Sequence, residues 1–236
     1  MKTINKLTIM LVIMSGLVVA CSSDDEEENG GKGLKGKHEY VDLGLPSGTL
    51  WATCNVGAYS PEEYGDYFAW GETKGYNAGK TDFSWATYQW CNGSYNSLTK
   101  YNFVSGLGTV DNKDKLDLKD DAAYMNWGPD WCMPNIEQFR ELLYSSSTST
   151  AWTTKNGVHG YKITSKINGN SIFLPAAGRI YESSLDYADT NGYYWTSIVN
   201  GSYNAHFLRF FSVEVSMSYS GRRSDGRSVR PVRRSE

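Results

Sequence analysis

The histidines and paired acids of this 236-residue chain are the first places to look for chemistry, because metal binding and proton transfer depend on such side chains. His38, His159 and His206 stand in unrelated contexts, and no Cys-x-x-Cys pair is present to hold zinc. Asp120 and Asp121 are adjacent at the start of a predicted helix, where the positive end of the helix dipole explains them without catalysis. The sequence therefore predicts no metal site, no cofactor and no catalytic residue.

Further acids and the thiols give no clearer catalytic pattern. Glu214 and Asp225 lie near arginines, which favours charge pairing at the surface. Cys54, Cys91 and Cys132 allow one disulfide with one thiol left over, and all three pairings stay open. A cysteine of this kind is more often a free buried thiol than a nucleophile.

The N-terminal 20 residues are typical of a secretion signal. Two lysines precede an apolar run, residues 7–20, that is too short to span a bilayer. The run ends in Val-Val-Ala-Cys, which resembles the lipobox of bacterial lipoproteins, although Val18 replaces the usual Leu. This resemblance implies that Cys21 is lipidated and anchors the chain to a membrane.

Residues 21–37 are predicted to be a flexible tether. Five consecutive acids at 24–28 repel one another, and the four glycines that follow carry no packing surface. An acidic block after a lipidated cysteine resembles the surface-export signal of Bacteroidetes lipoproteins, and a solvated spacer is the alternative. We therefore expect an outer-membrane lipoprotein of the cell envelope, exposed at the surface.

The remaining residues, 38–236, make up one domain. The net charge of −3 argues against nucleic acid as a partner. From Arg209 onward, seven arginines face three acids, so the C-terminus is locally basic. These arginines could hold an acidic glycan or tie the terminus to the domain, and the second role is favoured.

Turn and periodicity signals predict short strands, few helices and a long, weakly patterned region over 74–119. The predicted strands are 39–43, 50–55, 67–70, 158–164, 171–174 and 193–197. Ser60 and Glu63 indicate a single capped helical turn, and a short helix is expected over 119–125. The clearest helix runs from Ile136 to Tyr144, capped by Asn135 with Gln138 three residues on.

Four strings of the sequence carry a resemblance to a known family. In order, they are YVDLGLPSGTLWATCNVGA, PEEYGDYFAWGET, DDAAYMNWGPDWCMPNIEQFREL and SVRPV. They resemble the Fibrobacter succinogenes major paralogous domain, over about His38 to Arg234. The family is similar to the C-type-lectin-like fold of formylglycine-generating enzymes and of retroelement-diversified variable proteins. The resemblance implies an α+β domain with short strands, one or two short helices and long loops.

Departures from those relatives limit what the resemblance implies about activity. Cys132 stands where the family has an arginine, and no cysteine follows it, whereas formylglycine-generating enzymes use a C-terminal cysteine pair. The Glu-Pro-Asn and Gln-Pro-Asp tripeptides of calcium-dependent lectins are absent as well. The resemblance therefore concerns the fold and not catalysis or calcium binding.

Binding has positive support in the C-terminal region. Alternation over 203–211 places Leu208 and Phe210 on one face and Phe207, Arg209 and Phe211 on the other. In the next segment it turns Val213, Val215 and Met217 inward. The resemblance to variable proteins implies ligand contacts here, and the expected ligand-facing residues are Tyr203, Asn204, His206, Phe207, Arg209, Phe211, Glu214, Ser216, Tyr219, Arg222 and Arg223.

The leading hypothesis is a lipid-anchored binding protein that recognises a protein or a glycan through this C-terminal region. One alternative is an enzyme that modifies envelope glycans or proteins and uses Asp or Glu residues that the sequence does not identify. A structural lipoprotein associated with surface fibres is another.

Overall fold

The computed structural model describes residues 32–35 and 38–234. The predicted leader, Cys21 and the acidic block lie outside these residues. Strand accounts for 39% of the structure and the described part contains two α-helices, so the fold is largely β-sheet. Among the described residues, no helix is both long and apolar enough to cross a bilayer.

Thirteen strands and two α-helices are distributed along the described chain. The strands are β1 (Lys32–Lys35), β2 (His38–Asp42), β3 (Leu50–Ala52), β4 (Trp131–Cys132), β5 (Thr148–Lys155), β6 (Val158–Ser165), β7 (Ser171–Pro175), β8 (Arg179–Tyr181), β9 (Ser184–Asp186), β10 (Asn191–Asn200), β11 (Asn204–Phe211), β12 (Glu214–Arg222) and β13 (Val232–Arg233). The helices are α1 (Ala122–Trp127) and α2 (Ile136–Tyr144). Two 3-10 turns, Ser105–Leu107 and Leu118–Asp120, are the only helical segments within the weakly patterned region.

A five-stranded antiparallel sheet joins the two ends of the domain in the order β1-β2-β3-β13-β4. Trp51 of β3 pairs with Val41 of β2 on one side and with Val232 of β13 on the other. Val229 and Val232 are fully buried, which confirms that residues 228–232 return to the core. The C-terminal strand therefore closes the domain between two segments from its N-terminal half.

Two three-stranded antiparallel sheets, β5-β6-β7 and β10-β11-β12, and the hairpin β8-β9 complete the fold. The predicted turn around Asn168 and Gly169 connects β6 to β7, with Tyr161 opposite Leu174 and Thr164 opposite Ser171. Gly169 has a φ of 79°, a conformation that side-chain-bearing residues rarely adopt. This hairpin is confirmed as predicted from the sequence.

Helix α2 forms over the predicted residues because its local signals agree with one another. Asn135 accepts a hydrogen bond from the N–H of Gln138, and the Gln138 side chain accepts one from the N–H of Asn135. Phe139 is fully buried, and its ring centroid lies 5.1 Å from that of Trp51. The helix therefore packs its apolar face against the five-stranded sheet.

Two sequence predictions near the start of the domain are wrong. Residues 67–70 form no strand, because Phe68 and Trp70 bond to the 223–227 turn, which offers no continuous strand partner. A hydrogen-bonded turn begins at Ser60, where the N–H of Glu63 donates to the Ser60 carbonyl at 3.3 Å, but it is not continued as a helix. The predicted capping box does not form, because the Glu63 carboxylate accepts from the N–H of Tyr59.

Three further boundaries differ from the predictions. Strand β3 ends at Ala52, beyond which Asn55 turns inward to meet Arg230. Residues 32–35, assigned to the tether, pair with β2 as β1, an edge strand of the five-stranded sheet. Val213 is 84% exposed because it lies in the turn between β11 and β12.

Candidate functional site

One face of the sheet β10-β11-β12 collects most of the side chains predicted for binding. The register places Arg209 of β11 between Tyr193 of β10 and Ser216 of β12. Because side chains alternate along a strand, Phe207 and Phe211 lie on the same face as Arg209. A cluster of exposed and partly exposed side chains lies on this face and beside it. We call this cluster the aromatic–arginine face, and its members are Arg179, Tyr181, Tyr187, Arg209, Phe211, Glu214, Tyr219 and Arg222.

Arg209 is held between two aromatic rings. Its guanidinium carbon lies 5.1 Å from the ring centroid of Phe211 and 4.9 Å from that of Tyr219. The Tyr219 hydroxyl donates to Glu214 at 3.1 Å, which orients the ring. Cation–π contacts of this kind are worth about 0.5–2 kcal/mol, so the guanidinium is preorganised to meet a ligand.

A second group of arginines and tyrosines continues the face on the hairpin β8-β9. The Arg222 guanidinium carbon lies 4.1 Å from the Tyr181 ring centroid, and that of Arg179 lies 5.8 Å from the Tyr187 centroid. Buried Tyr193 links the two groups, because its ring contacts those of Tyr187 and Phe207. The side chains of Arg179 and Arg222 are 27% and 35% exposed, so their charges remain accessible to a ligand.

The face rests on a buried ion pair. Arg227 is 1% exposed and lies 3.7 Å from the Phe207 ring centroid and 4.2 Å from that of Trp195. Its Nη2 donates to Asp225 at 2.9 Å. Burial lowers the pKa of Arg227 to about 10, and the Asp225 carboxylate opposes that shift. Arg227 therefore supports the aromatic rings from below and stays charged at neutral pH.

Positive charge exceeds negative charge across this region. Asp225 lies 3.7 Å from Arg179, 3.2 Å from Arg222 and 2.9 Å from Arg227, so one carboxylate is shared by three guanidinium groups. Sequence reasoning placed Asp225 in a surface pair, but it is 2% exposed, because the turn that carries it packs under the sheet. The imbalance favours an anionic ligand.

The structure separates the eleven predicted contact residues into groups. Arg222 lies at the margin of the face of the three-stranded sheet, and six of the predicted residues share that face: Phe207, Arg209, Phe211, Glu214, Ser216 and Tyr219. Alternation turns Asn204 and His206 to the opposite side of β11. Burial there lowers the pKa of His206. Tyr203 is 44% exposed and contacts Tyr95 instead.

Two of the predicted contacts do not face solvent. Phe207 is 5% exposed because Tyr219, Tyr193 and Trp195 surround it. Arg223 is fully buried and donates to the carbonyl of Tyr101 at 2.9 Å. Both residues therefore belong to the framework and not to the binding surface.

Sequence reasoning missed Arg179, Tyr181 and Tyr187 as members of this face. No local pattern joins them to β12, because Tyr181 and Arg222 meet only through tertiary packing. The repeated tyrosines at 181 and 187 were the one available signal, since aromatic residues in an exposed loop often serve recognition.

The acids considered for catalysis have structural partners. Asp121 accepts from the N–H groups of Ala123, Tyr124 and Met133, which confirms its role as the cap of α1. Burial raises the pKa of Asp121 to about 6 despite those bonds. Asp120 accepts from the Tyr101 hydroxyl at 2.6 Å and pairs with a lysine.

The thiols and potential metal ligands show no assembled centre in the described part of the chain. Cys54, Cys91 and Cys132 are all free, and burial raises the pKa of Cys132 to about 12. Over residues 38–234, no group of three His, Cys, Asp or Glu side chains converges to hold a metal ion. Comparisons of this chain with models of protein families, with curated proteins and with solved structures find no match.

Proposed function

We propose that this protein is a binding module that holds an anionic glycan on the aromatic–arginine face. The observation that carries this proposal is Arg209, fixed between the rings of Phe211 and Tyr219 while its charge has no carboxylate partner within the described residues. Flat aromatic rings pack against the apolar faces of sugar rings, and guanidinium groups recognise carboxylate or sulfate substituents.

The resemblance of the sequence supports a C-type-lectin-like fold as part of the same proposal. The paired N- and C-terminal segments in one sheet, the two short helices and the long loop region are compatible with it. In such a fold, the framework would hold the ends of the chain together while the β10-β11-β12 sheet presents side chains to a ligand. The competing form of the same binding role is recognition of a protein ligand in place of a glycan.

A glycan and protein array tests the proposal directly. We expect the purified protein to bind sulfated or uronic-acid glycans more strongly than neutral ones, and to lose binding as salt rises, since exposed charges are screened. Arg209→Ala is expected to raise the Kd by about tenfold, because it removes about 1–2 kcal/mol of charge recognition. Arg140→Ala, an exposed arginine on α2, is the matched control and is expected to leave the Kd unchanged.

The results can contradict the proposal in two ways. Preference for acidic protein segments over every glycan would assign the face to a protein partner. An unchanged Kd in Arg209→Ala, with the fold intact by circular dichroism, would place the ligand elsewhere on the domain.

Anchoring through Cys21 is a separate part of the proposal, supported by the lipobox-like sequence before it. Replacing Cys21 with Ala is expected to move the protein from the membrane fraction to the soluble fraction, because a single residue carries the lipid. Cell fractionation with immunoblotting measures this, and Cys54→Ala is the matched control that should stay membrane-bound. A Cys21→Ala variant that stays in the membrane fraction contradicts lipid anchoring.

A further inference from the structure

A second polar cleft lies at the N-terminal end of α2 and shares no lining residue with the aromatic–arginine face. Its volume is about 560 Å³. The walls come from residues 115–118, β4, the first turn of α2, Ser197 of β10 and the C-terminal residues Arg233 and Arg234. We call it the α2 cleft.

Three basic side chains line the α2 cleft. Lys115 and Arg234 are exposed, and Arg233 is partly buried. Arg234 uses one nitrogen, Nη1, to donate to the carbonyl of Pro129, which fixes the side chain and leaves its other donors available. The Nε of Arg233 is buried and has no partner among the described residues. The cleft therefore presents unused cationic donors.

The two carboxylates on the wall of the α2 cleft are already engaged. Asp117 pairs with Lys113 at 2.7 Å and with Lys100 at 2.5 Å. Both oxygens of Asp121 accept backbone hydrogen bonds, as described above for the cap of α1. Neither acid forms a salt bridge with the basic residues of the cleft. The positive charges of those basic residues therefore remain available to an incoming anion.

The first turn of α2 and one orphaned hydroxyl add polar groups to the same cleft. The nine-residue helix begins here, and its cap Asn135 satisfies the N–H of Gln138. The positive end of its dipole favours anions. Ser197 is 2% exposed and lines the cleft, yet its Oγ has no hydrogen-bond partner among the described residues. A buried hydroxyl without a partner is uncommon, and a bound ligand would satisfy it.

We propose that the α2 cleft binds a tetrahedral oxyanion, phosphate or sulfate, either free or carried on a larger molecule. Lys115 and Arg234 supply charge at the mouth, Ser197 supplies a hydroxyl donor farther in, and the positive end of the α2 dipole adds a favourable field. This site is independent of the glycan proposal, because the two sites share no residue.

Isothermal titration of the purified protein tests the site with inorganic phosphate, inorganic sulfate and a monosaccharide phosphate, at matched ionic strength in chloride. We expect saturable binding with a Kd below about 1 mM for at least one of them. The double variant Lys115→Ala/Arg234→Ala is expected to raise that Kd at least about tenfold, because charge-assisted hydrogen bonds are lost. Both positions are exposed, so the variant should fold, as an unchanged Tm would show.

Three further variants locate the bound anion. Ser197→Ala should raise the Kd severalfold. Binding by the charges of Lys115 and Arg234 alone would not be sensitive to this substitution. Lys119→Ala changes a neighbouring exposed lysine that does not line the cleft and should leave the Kd unchanged, as should Arg209→Ala on the aromatic–arginine face.

Each outcome decides the proposal. Binding of the monosaccharide phosphate alone supports an oxyanion carried on a larger molecule, and binding of the inorganic ions supports a free anion. Failure of all three probes to saturate overturns the site. An unchanged Kd in the double variant, or loss of binding in Arg209→Ala, overturns it as well, even where the glycan proposal holds.

Discussion

Replacing Arg230 with Ala is expected to lower the free energy of unfolding by about 4 kcal/mol, enough to unfold many single domains at 37 °C. Arg230 is fully buried and donates to the side chain of Asn55 at 2.9 Å and to the carbonyl of Phe173 at 3.0 Å. It also donates to the carbonyls of Ala52 and Thr53, both at 3.2 Å. Removal leaves these acceptors buried without a donor and opens a cavity.

Urea unfolding followed by tryptophan fluorescence measures this loss. Arg230→Lys keeps the charge and part of the hydrogen bonding, so its loss should fall between those of wild type and Arg230→Ala. Arg140→Ala is the matched control, because that arginine is 52% exposed and pairs only with Glu137. Arg140→Ala should change the free energy of unfolding by no more than about 0.5 kcal/mol. A loss of less than about 1 kcal/mol in Arg230→Ala would show that Arg230 does not hold the chain ends together.

Asp225→Asn is expected to lower the free energy of unfolding by about 3–5 kcal/mol, because it leaves the charge of Arg227 buried and unpaired. The substitution preserves the shape of the side chain, removes its charge and turns one acceptor oxygen into an amide donor. Arg227 then lies among Phe207, Trp195 and Tyr193 with its one anionic partner missing. The same change frees Arg179 and Arg222, so affinity for an anionic ligand should rise while stability falls.

A double-mutant cycle separates the charge from the packing. Asp225→Asn/Arg227→Met should regain part of the lost stability, because a buried pair replaced by apolar volume is often tolerated. Glu214→Gln is the control on the same surface, where one hydrogen bond from Tyr219 is affected and less than about 1 kcal/mol is expected. If the double variant is no more stable than Asp225→Asn alone, unpaired charge is not the cause of the loss.

The arginines of the C-terminus divide between the core and the surface. Arg223 and Arg230 are buried and hydrogen-bonded to distant segments, and buried Arg227 packs on the rings of Trp195 and Phe207, so these arginines tie the terminus down. Arg209 and Arg222 stay partly exposed on the aromatic–arginine face. A buried guanidinium needs hydrogen-bond partners, which carbonyls provide for Arg223 and Arg230 and the Asp225 carboxylate provides for Arg227, whereas Arg209, with aromatic neighbours alone, stays at the surface.

Elements with strong local signals were predictable in detail. The reciprocal hydrogen bonds of Asn135 and Gln138 need only four consecutive residues, so the start of α2 follows from the sequence. The turn at Asn168–Gly169 likewise depends on a few neighbouring residues and on the conformational freedom of Gly169. By contrast, the segment around Phe68 contains apolar residues typical of a strand, yet its partner is a turn some 160 residues away, so no ladder forms.

By itself, the sequence determined the short strands and few helices of the domain, the limits of α2, the β6-β7 hairpin and the return of the C-terminus to the core, because each depends on short-range pattern and burial. Only the tertiary structure decided which arginines are buried, that Arg222 meets Tyr181, and that Phe207 and Arg223 lie beneath the surface they were expected to form. The physical reason is that the burial and pairing of a charge depend on which distant segments pack around it. Arg230 and Asn55, 175 residues apart, meet only once β13 has paired with β3.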